Sequence, residues 1–352
     1  NREDKENYPR WVNGRWPGKS GLSIGTMRKS IGRTHFYGVE GKDFTVEMWV
    51  RTTPGAGRVV FASVGDGYSN GWRLNSRGNG VDFALGRKPG RGQGEGLVNV
   101  LAKDCLRAHV WQQLVAVLND NNLQLYVDGK LAGEKAFDGV YRHPETPAGR
   151  HRTPEIDTRG GLQLGTTASH KSEGRFDIDE LAIWSRALAP AEIATLYAAA
   201  RPEAGPEEQV EQHQAELARR KQLDGITIEL PKDTFGYFPN DQDIPVTITV
   251  DQVAAPLFAK PGSVDIAVAR FQGESLAKET LPLALSDAGT GKVDYAIKPD
   301  RCGLYVLDMA VRDSAGQALK TLRVDFARRL PLPPRDQISD ASMLASYVGL
   351  HH

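Results

Sequence analysis

Residues 111–130 constrain the fold of this chain more than any other stretch. Two runs in which apolar and polar residues alternate, 111–118 and 123–127, flank a four-residue polar turn. Asp128 and Gly129 follow the second run and form a second turn. Asp-Gly between alternating runs is a strong hairpin signal, because both central residues of a type I′ turn need a positive φ. The stretch therefore predicts consecutive antiparallel strands.

Composition sets the broad class of the chain. Its 352 residues suggest about two domains. The 37 glycines and 20 prolines separate many short apolar runs, which favours an all-β, turn-rich architecture. Lys and Arg together number 44, and so do Asp and Glu, which leaves a net charge of zero. That balance argues against a nucleic-acid partner and gives no basis for binding an anionic membrane surface.

Neither membrane insertion nor disulfide bonding is predicted. No apolar run approaches the length of a transmembrane helix. The first ten residues are mostly charged or polar and predict no signal peptide. Cys105 and Cys302 fall in different predicted domains, and no Cys/His spacing typical of a metal site is present.

The patterning divides the chain into four segments. Residues 1–200 read as one domain of short, closely spaced strands that ends in a short helix. Residues 201–224 are rich in Glu, Gln, Arg and Ala and predict a helical linker. Seven candidate strands in 225–330 indicate an immunoglobulin- or fibronectin-like β-sandwich. Residues 331–352 begin with a proline-rich spacer and then resemble the start of a further module.

The predicted linker helix offers little apolar surface. Val210 and Leu217 form only a narrow apolar stripe along it. Three or more heptads are not available, which disfavours a coiled coil. We therefore expect a helix that rests lightly on a neighbouring surface.

Three stretches resemble a known family. The last of them carries the pattern G-x-x-D-I-D-E, then W-x-R-A-L, E-I and L-Y. Together they resemble the laminin-G-like, pentraxin-like jelly roll of the concanavalin-A superfamily, and 302–313 resembles the closing strands of immunoglobulin-like domains in bacterial surface enzymes. The resemblance implies a jelly roll followed by a sandwich, in a setting where glycans are displayed or bound. The three stretches are 44–51, 111–130, and 174–188 with Glu192, Ile193, Leu196 and Tyr197.

Asp177, Asp179 and Glu180 form the densest acidic group in a strand context. Some glycosidases of this fold place alternating carboxylates on one strand so that they face one cleft. Here the spacing would turn Glu180 to the opposite face, which favours a structural signature over catalysis. The family resemblance also implies a structural calcium ion, which needs oxygen ligands, and Asp179 is the candidate ligand.

Two predicted loops supply the candidate glycan-binding residues. Tyr68 lies in the glycine-rich loop 65–71, where its ring could stack on a sugar face. The long loop 140–161 is basic, and long loops at the rim of a sandwich tend to carry function. Trp72, by contrast, is predicted to pack in the core. The candidates in the long loop are Tyr141, Arg142, His143 and His151.

The sequence thus predicts a non-catalytic carbohydrate-binding segment of a larger exported protein. The parent is expected to be a glycoside hydrolase whose catalytic module begins near residue 336, and the site of action is secreted, periplasmic or on the cell surface. Expected partners are a glycan or polysaccharide and that catalytic module. One alternative is a structural or adhesive cell-surface protein, and a second is a concanavalin-fold glycosidase in its own right.

Overall fold

A computed structural model describes most of the chain. The described residues are 9–25, 43–54, 57–65, 71–88, 96–141, 162–165, 174–231, 237–239, 243–271, 273–298 and 302–329. They divide into two compact units, Asn1–Gln214 and Ala215–His352. The predicted limits of the four segments stay predictions.

Antiparallel strands build the first unit, as the alternating runs predict. Seven of them pair in the order β1-β2-β13-β3-β8-β9-β10, and six form a second sheet in the order β11-β6-β5-β4-β12, with β7 beside β6. The strands are β1 (Arg10–Asn13), β2 (Ser20–Ile24), β3 (Phe44–Thr52), β4 (Val60–Val64), β5 (Trp72–Arg77), β6 (Gly80–Lys88), β7 (Gly96–Ala102), β8 (Trp111–Asn119), β9 (Asn122–Val127), β10 (Lys130–Ala136), β11 (Val140–Tyr141), β12 (Gln163–Leu164) and β13 (Phe176–Trp184).

The two sheets enclose the main core of this unit. Phe44, Trp72 and Phe83 are almost fully buried, and the Phe44 ring packs near both of the other rings, so Trp72 has the predicted packing role. Along β8, Leu114, Ala116 and Leu118 belong to this core, whereas Val115 and Val117 face the other way. The seven-stranded sheet therefore buries apolar residues on both faces, and its outer face needs a cover of its own.

Helix α1 (Pro190–Ala200) provides that cover. Leu188 and Ile193 pack on Val115, Val117 and Tyr126 of the outer face. Pro190 lies in the first turn, and the Glu192 carboxylate accepts a hydrogen bond from the Ala189 N–H at 2.8 Å. Helix α2 (Pro206–Asp224) follows, and neither described helix has the length and apolar character needed to cross a membrane.

The second unit is also a two-sheet structure. Its sheets have the orders β14-β16-β19 and β15-β21-β20-β17-β18, and they share one apolar core that includes Ile248, Ile266 and Leu307. The predicted all-β class is thus confirmed, while the immunoglobulin-like assignment stays a prediction. The strands are β14 (Ile226–Glu229), β15 (Tyr237–Pro239), β16 (Ile244–Val250), β17 (Gly262–Arg270), β18 (Ser275–Leu283), β19 (Gly291–Ile297), β20 (Gly303–Arg312) and β21 (Ala318–Arg329).

Candidate functional site

A cleft of about 860 Å³ opens on the outer side of the first unit, and we call it the outer cleft. Its walls come from the β1–β2 loop, the start of β8, the end of α1 and the start of α2. Aromatic rings, guanidinium groups and backbone amides line it together. The lining residues are Trp16, Arg107, Val110, Trp111, Tyr197, Ala198, Ala199, Arg201, Pro202, Glu203, Ala204, Gly205, Pro206 and Gln209.

Helix α1 approaches the sheet closely at Tyr197. The Tyr197 ring stacks on buried Trp49, with centroids 5.9 Å apart and planes 11° apart. Gly129 makes this approach possible, since a Cβ there would lie only 2.9 Å from the Tyr197 Cβ atom. The hairpin turn that the sequence predicts at Asp128 and Gly129 has the positive φ angles of a type I′ turn, 51° and 75°. It therefore also shapes one wall of the outer cleft.

Arg15 holds the β1–β2 loop against the sheet. Its guanidinium carbon lies 4.4 Å from the ring centroid of Trp16 and 4.3 Å from that of Trp49, so the cation sits between two aromatic faces. The same guanidinium donates to the Ala200 carbonyl at 2.7 Å and to the Asp179 carboxylate at 3.3 Å. These contacts hold the partly exposed Trp16 ring in place in the lining of the cleft.

A bulge in β13 changes the expected direction of Glu180. The register against β3 shifts between Asp179 and Leu181, and Glu180 has a φ of 60°. Simple alternation predicted that Glu180 would turn away from Asp179, and that prediction is wrong. The bulge brings the Glu180 carboxylate onto Arg15 and Lys19, the two cations that also bind Asp179.

Arg107 stands at the opposite wall, anchored but open to solvent. Its guanidinium pairs with the Asp128 carboxylate at 2.8 Å, while its side chain is 49% exposed. The second Asp128 oxygen accepts the Gln113 backbone N–H at 3.0 Å, so the anchor is itself fixed to β8. The other N–H groups of the Arg107 guanidinium can therefore face a ligand while Asp128 holds the side chain in place.

The first turns of α2 form the third wall. Buried Gln209 accepts the Trp111 backbone N–H at 2.9 Å and donates to the Ala204 carbonyl at 2.8 Å. One turn later, His213 is 1% exposed. The sequence predicted a light apolar contact through Val210, but the buried residues of 206–214 are these two polar ones.

His213 joins a buried ionic cluster on the outer face. Its Nδ1 lies 3.0 Å from the Nδ1 of His109, and its Nε2 lies 3.5 Å from Oδ2 of Asp177. The same Asp177 oxygen accepts from Nε and Nη2 of Arg51 at 2.9 and 2.8 Å. Burial lowers the pKa of His109, nearby Arg51 lowers it further, and Asp177 opposes both effects.

Of the predicted glycan-binding residues, the structure describes only Tyr141. Tyr68, Arg142, His143 and His151 lie outside the described residues. Tyr141 packs in the core, 5.5 Å from the Phe44 ring and only 6% exposed, so its ring offers almost no surface to a sugar. Burial also raises the pKa of its hydroxyl.

The surroundings of Asp179 do not fit a calcium ion. One carboxylate oxygen lies 3.1 Å from the Lys19 ammonium, and the other accepts from the N–H and side chain of Arg15. Calcium takes six to eight oxygen ligands, whereas these neighbours are cations. Across the described ranges, no group of three or more His, Cys, Asp or Glu side chains is placed to hold a metal.

Sequence patterning assigned none of the residues that line the cleft to a binding site. Trp111 and Tyr197 belong to the family pattern, which predicted the fold but not the cleft. Trp16, Arg107 and Gln209 lie in three segments that are far apart in the chain and carry no shared motif.

One family model matches much of the first unit. Residues 33–194 match the family model Laminin_G_3, described as the concanavalin A-like lectin/glucanases superfamily. Among curated proteins, none matches the chain.

Solved structures similar to the chain share little sequence with it. The CBM40 of a Ruminococcus gnavus sialidase bound to α2,3-sialyllactose is 13% identical, with a TM-score of 0.39, over 51% of this chain and 97% of that one. The binding domain of botulinum neurotoxin serotype G is 12% identical, with a TM-score of 0.38, over 94% and 74%. A SAP-like pentraxin from Limulus polyphemus is 12% identical, with a TM-score of 0.32, over 44% and 70%. With the family match over 33–194, the first unit has a concanavalin A-like jelly-roll fold.

Proposed function

We propose that the first unit binds carbohydrate in the outer cleft. The observation that carries this proposal is the lining of that cleft, in a domain whose residues 33–194 match a superfamily of lectins and glucanases. The partly exposed Trp16 ring offers a stacking face for the apolar side of a sugar ring. Guanidinium and backbone groups around it supply hydrogen-bond donors and acceptors for hydroxyl groups.

The ion pairing of Asp177, Asp179 and Glu180 agrees with binding without catalysis. Asp177 is paired with Arg51, and Asp179 and Glu180 are paired with Arg15 and Lys19. A retaining glycosidase needs two carboxyl groups free to face the scissile bond about 5 Å apart. The pairing favours a structural role for these carboxylates and therefore a binding module over a glycosidase.

We extend the proposal to the parent protein on the basis of the sequence resemblance. The segment would be an accessory module of a larger exported protein, secreted, periplasmic or on the cell surface, that carries a glycoside hydrolase module as its intramolecular partner. A reading frame that continues past residue 352 into a module with two suitably placed carboxylates would support this. A continuation without such a module would favour the adhesive or structural alternative.

Trp16→Ala tests the binding site. A glycan array first selects the saccharide that the whole chain binds, and isothermal titration then compares variants. Loss of a central stacking ring is expected to cost about 2 kcal/mol, which weakens Kd about 30-fold. Trp11→Ala is the matched control, because Trp11 is 77% exposed and lies outside the outer cleft.

Two results would contradict the proposal. One is the absence of binding to any saccharide on the array, and the other is equal affinity of the Trp16→Ala and wild-type chains. Because Trp16 also packs on Arg15, Arg107→Ala provides a second variant on a different wall. Its side chain is half exposed, so an unchanged thermal midpoint with weaker binding would separate recognition from folding.

A further inference from the structure

The contact between 206–214 and the seven-stranded sheet depends on two imidazole rings, His109 and His213, which we call the His pair. Their Nδ1 atoms lie 3.0 Å apart, which is hydrogen-bond distance. His213 is 1% exposed, and the backbone N–H of His109 donates to the Thr52 carbonyl at 2.8 Å. Both rings are thus held in place by the surrounding structure.

The geometry limits how many protons the His pair can hold. Two facing Nδ1 atoms form a hydrogen bond only if one carries a proton and the other does not. The Nε2 of His213 faces an Asp177 oxygen at 3.5 Å, which favours a proton on that nitrogen. In the neutral ring, Nδ1 of His213 is then the acceptor, and Nδ1 of His109 is the donor. If His213 takes up a proton, the two roles reverse and His109 accepts, so the docked pair can hold one imidazolium but not two.

The charges that face the pair disfavour further protonation. Arg51 of β3 contributes a cation, Asp177 of β13 contributes one carboxylate, and Gln209 of α2 is neutral. Arg51 already donates two hydrogen bonds to Asp177, so that carboxylate is largely neutralised. Protonation of both rings would place two N–H groups face to face and add a second positive charge beside Arg51.

We propose that the His pair is an acid-sensitive latch that holds 206–214 against the sheet and so maintains one wall of the outer cleft. Gln209, one turn before His213, lines the cleft and binds the backbone of Trp111. Release of this turn removes that wall. The effect on ligand binding rests on the proposed function, whereas the latch itself does not.

The direction of the pH effect follows from proton linkage. Each released imidazole takes up a proton near pH 6.5, whereas the docked pair takes up its second proton only at lower pH. The released state therefore binds more protons in acid, and docking becomes more favourable as pH rises. The docked state is fully favoured above about pH 7 and is lost as pH falls through about 6.5 and below.

Hydrogen exchange of the whole chain tests the latch without any ligand. Backbone protection of 206–214, corrected for intrinsic exchange rates, is expected to fall about tenfold from about pH 7.5 to about pH 5. EDTA in the buffer prevents a metal ion from bridging the two rings. Helix α1 is the internal reference, since ion pairing with Arg186 lowers the pKa of its capping Glu192 to about 2.

Non-titrating replacements provide the matched comparison. In the double variant His109→Asn and His213→Gln, amides replace the facing ring nitrogens, and Asn tolerates the φ of 66° at position 109. Its protection at 206–214 is expected to be the same at both pH values. The proposal would be overturned if this variant lost as much protection in acid as the wild type does, or if the wild type lost none.

Histidine titration by NMR provides a second measurement if the double variant does not fold. In the wild-type chain, imidazole pKa values of both residues at or above about 6.5 would also overturn the latch. A saccharide titration at both pH values separates the two proposals. Absence of binding at either pH contradicts the proposed function and leaves the exchange result to decide on the latch.

Discussion

Among individual residues, Arg15 connects more of the outer cleft than any residue that the sequence singled out. It joins two tryptophans, two carboxylates and the end of α1. The motif around Asp179 was visible in the sequence, but its partner lies 164 residues away, beyond the reach of any local pattern. The sequence therefore points to one half of the contact, which the family resemblance attributes to calcium, whereas the partner is a guanidinium.

Asp179→Asn tests this structural role. The substitution leaves Arg15, whose side chain is fully buried, without one of its carboxylates. Breaking a buried pair by removing one partner costs about 3 kcal/mol, and we expect that loss in the unfolding free energy of the first unit. Hydrogen exchange of β13 peptides in the whole chain measures it.

Asp308→Asn is the control for that substitution. Asp308 pairs with Arg323 at 3.6 Å, and both side chains are more than half exposed. An exposed pair contributes less than about 1 kcal/mol, so β20 is expected to change little. Equal effects of the two substitutions would contradict the buried role of Asp179.

Strands and turns could be predicted where the sequence pattern that specifies them is local. The strands of 111–130 and the D-G turn follow from alternation and turn chemistry, and the structure has both. Helix α2 shows the opposite case, because its buried residues in 206–214 are polar and their partners are strands about a hundred residues earlier. A search for apolar stripes is insensitive to such a contact.

Gly129→Ala measures how closely α1 packs on the β9–β10 turn. The new methyl group would meet the Tyr197 side chain at 2.9 Å, and the positive φ adds strain. Gly78→Ala is the control, since Gly78 also has a positive φ at a hairpin turn but has open space around it. In either variant, the strain of an alanine at a positive φ is expected to cost about 1–2 kcal/mol of unfolding free energy.

We expect Gly129→Ala to destabilise the first unit by about 1 kcal/mol or more beyond Gly78→Ala, because overpacking adds to strain. Denaturant unfolding followed by exchange at α1 peptides gives the comparison. Equal destabilisation by the two substitutions would show that the Tyr197 side chain moves aside easily and that this wall of the cleft is not tightly packed.

Over the whole molecule, charge balance determines how a ligand is attracted. With 44 basic and 44 acidic residues, the chain has no net field to draw a polyion from a distance. Recognition in the outer cleft then depends on short-range stacking and hydrogen bonds. The class of fold was predictable from composition and strand spacing, whereas the cleft required the three-dimensional packing of three distant segments.

Saccharide binding is accordingly expected to depend weakly on salt. Raising NaCl from about 50 to about 300 mM, which shortens the screening length, should change Kd less than about threefold. Isothermal titration at constant pH measures this. A steep loss of affinity would instead indicate a ligand held by long-range charge, and Arg107→Ala would then flatten the salt dependence.

The position of β13 in its sheet has a consequence for how the protein is made. This strand lies between β2 and β3, although it follows them by more than a hundred residues in the chain. During synthesis, β1 and β2 must therefore wait for residues 176–184 before they can join the sheet. Pairings of such long sequence separation form slowly. The outer cleft closes only once α2 has also emerged, so no shorter nascent chain holds a complete site, and recognition begins only after most of the jelly roll has folded.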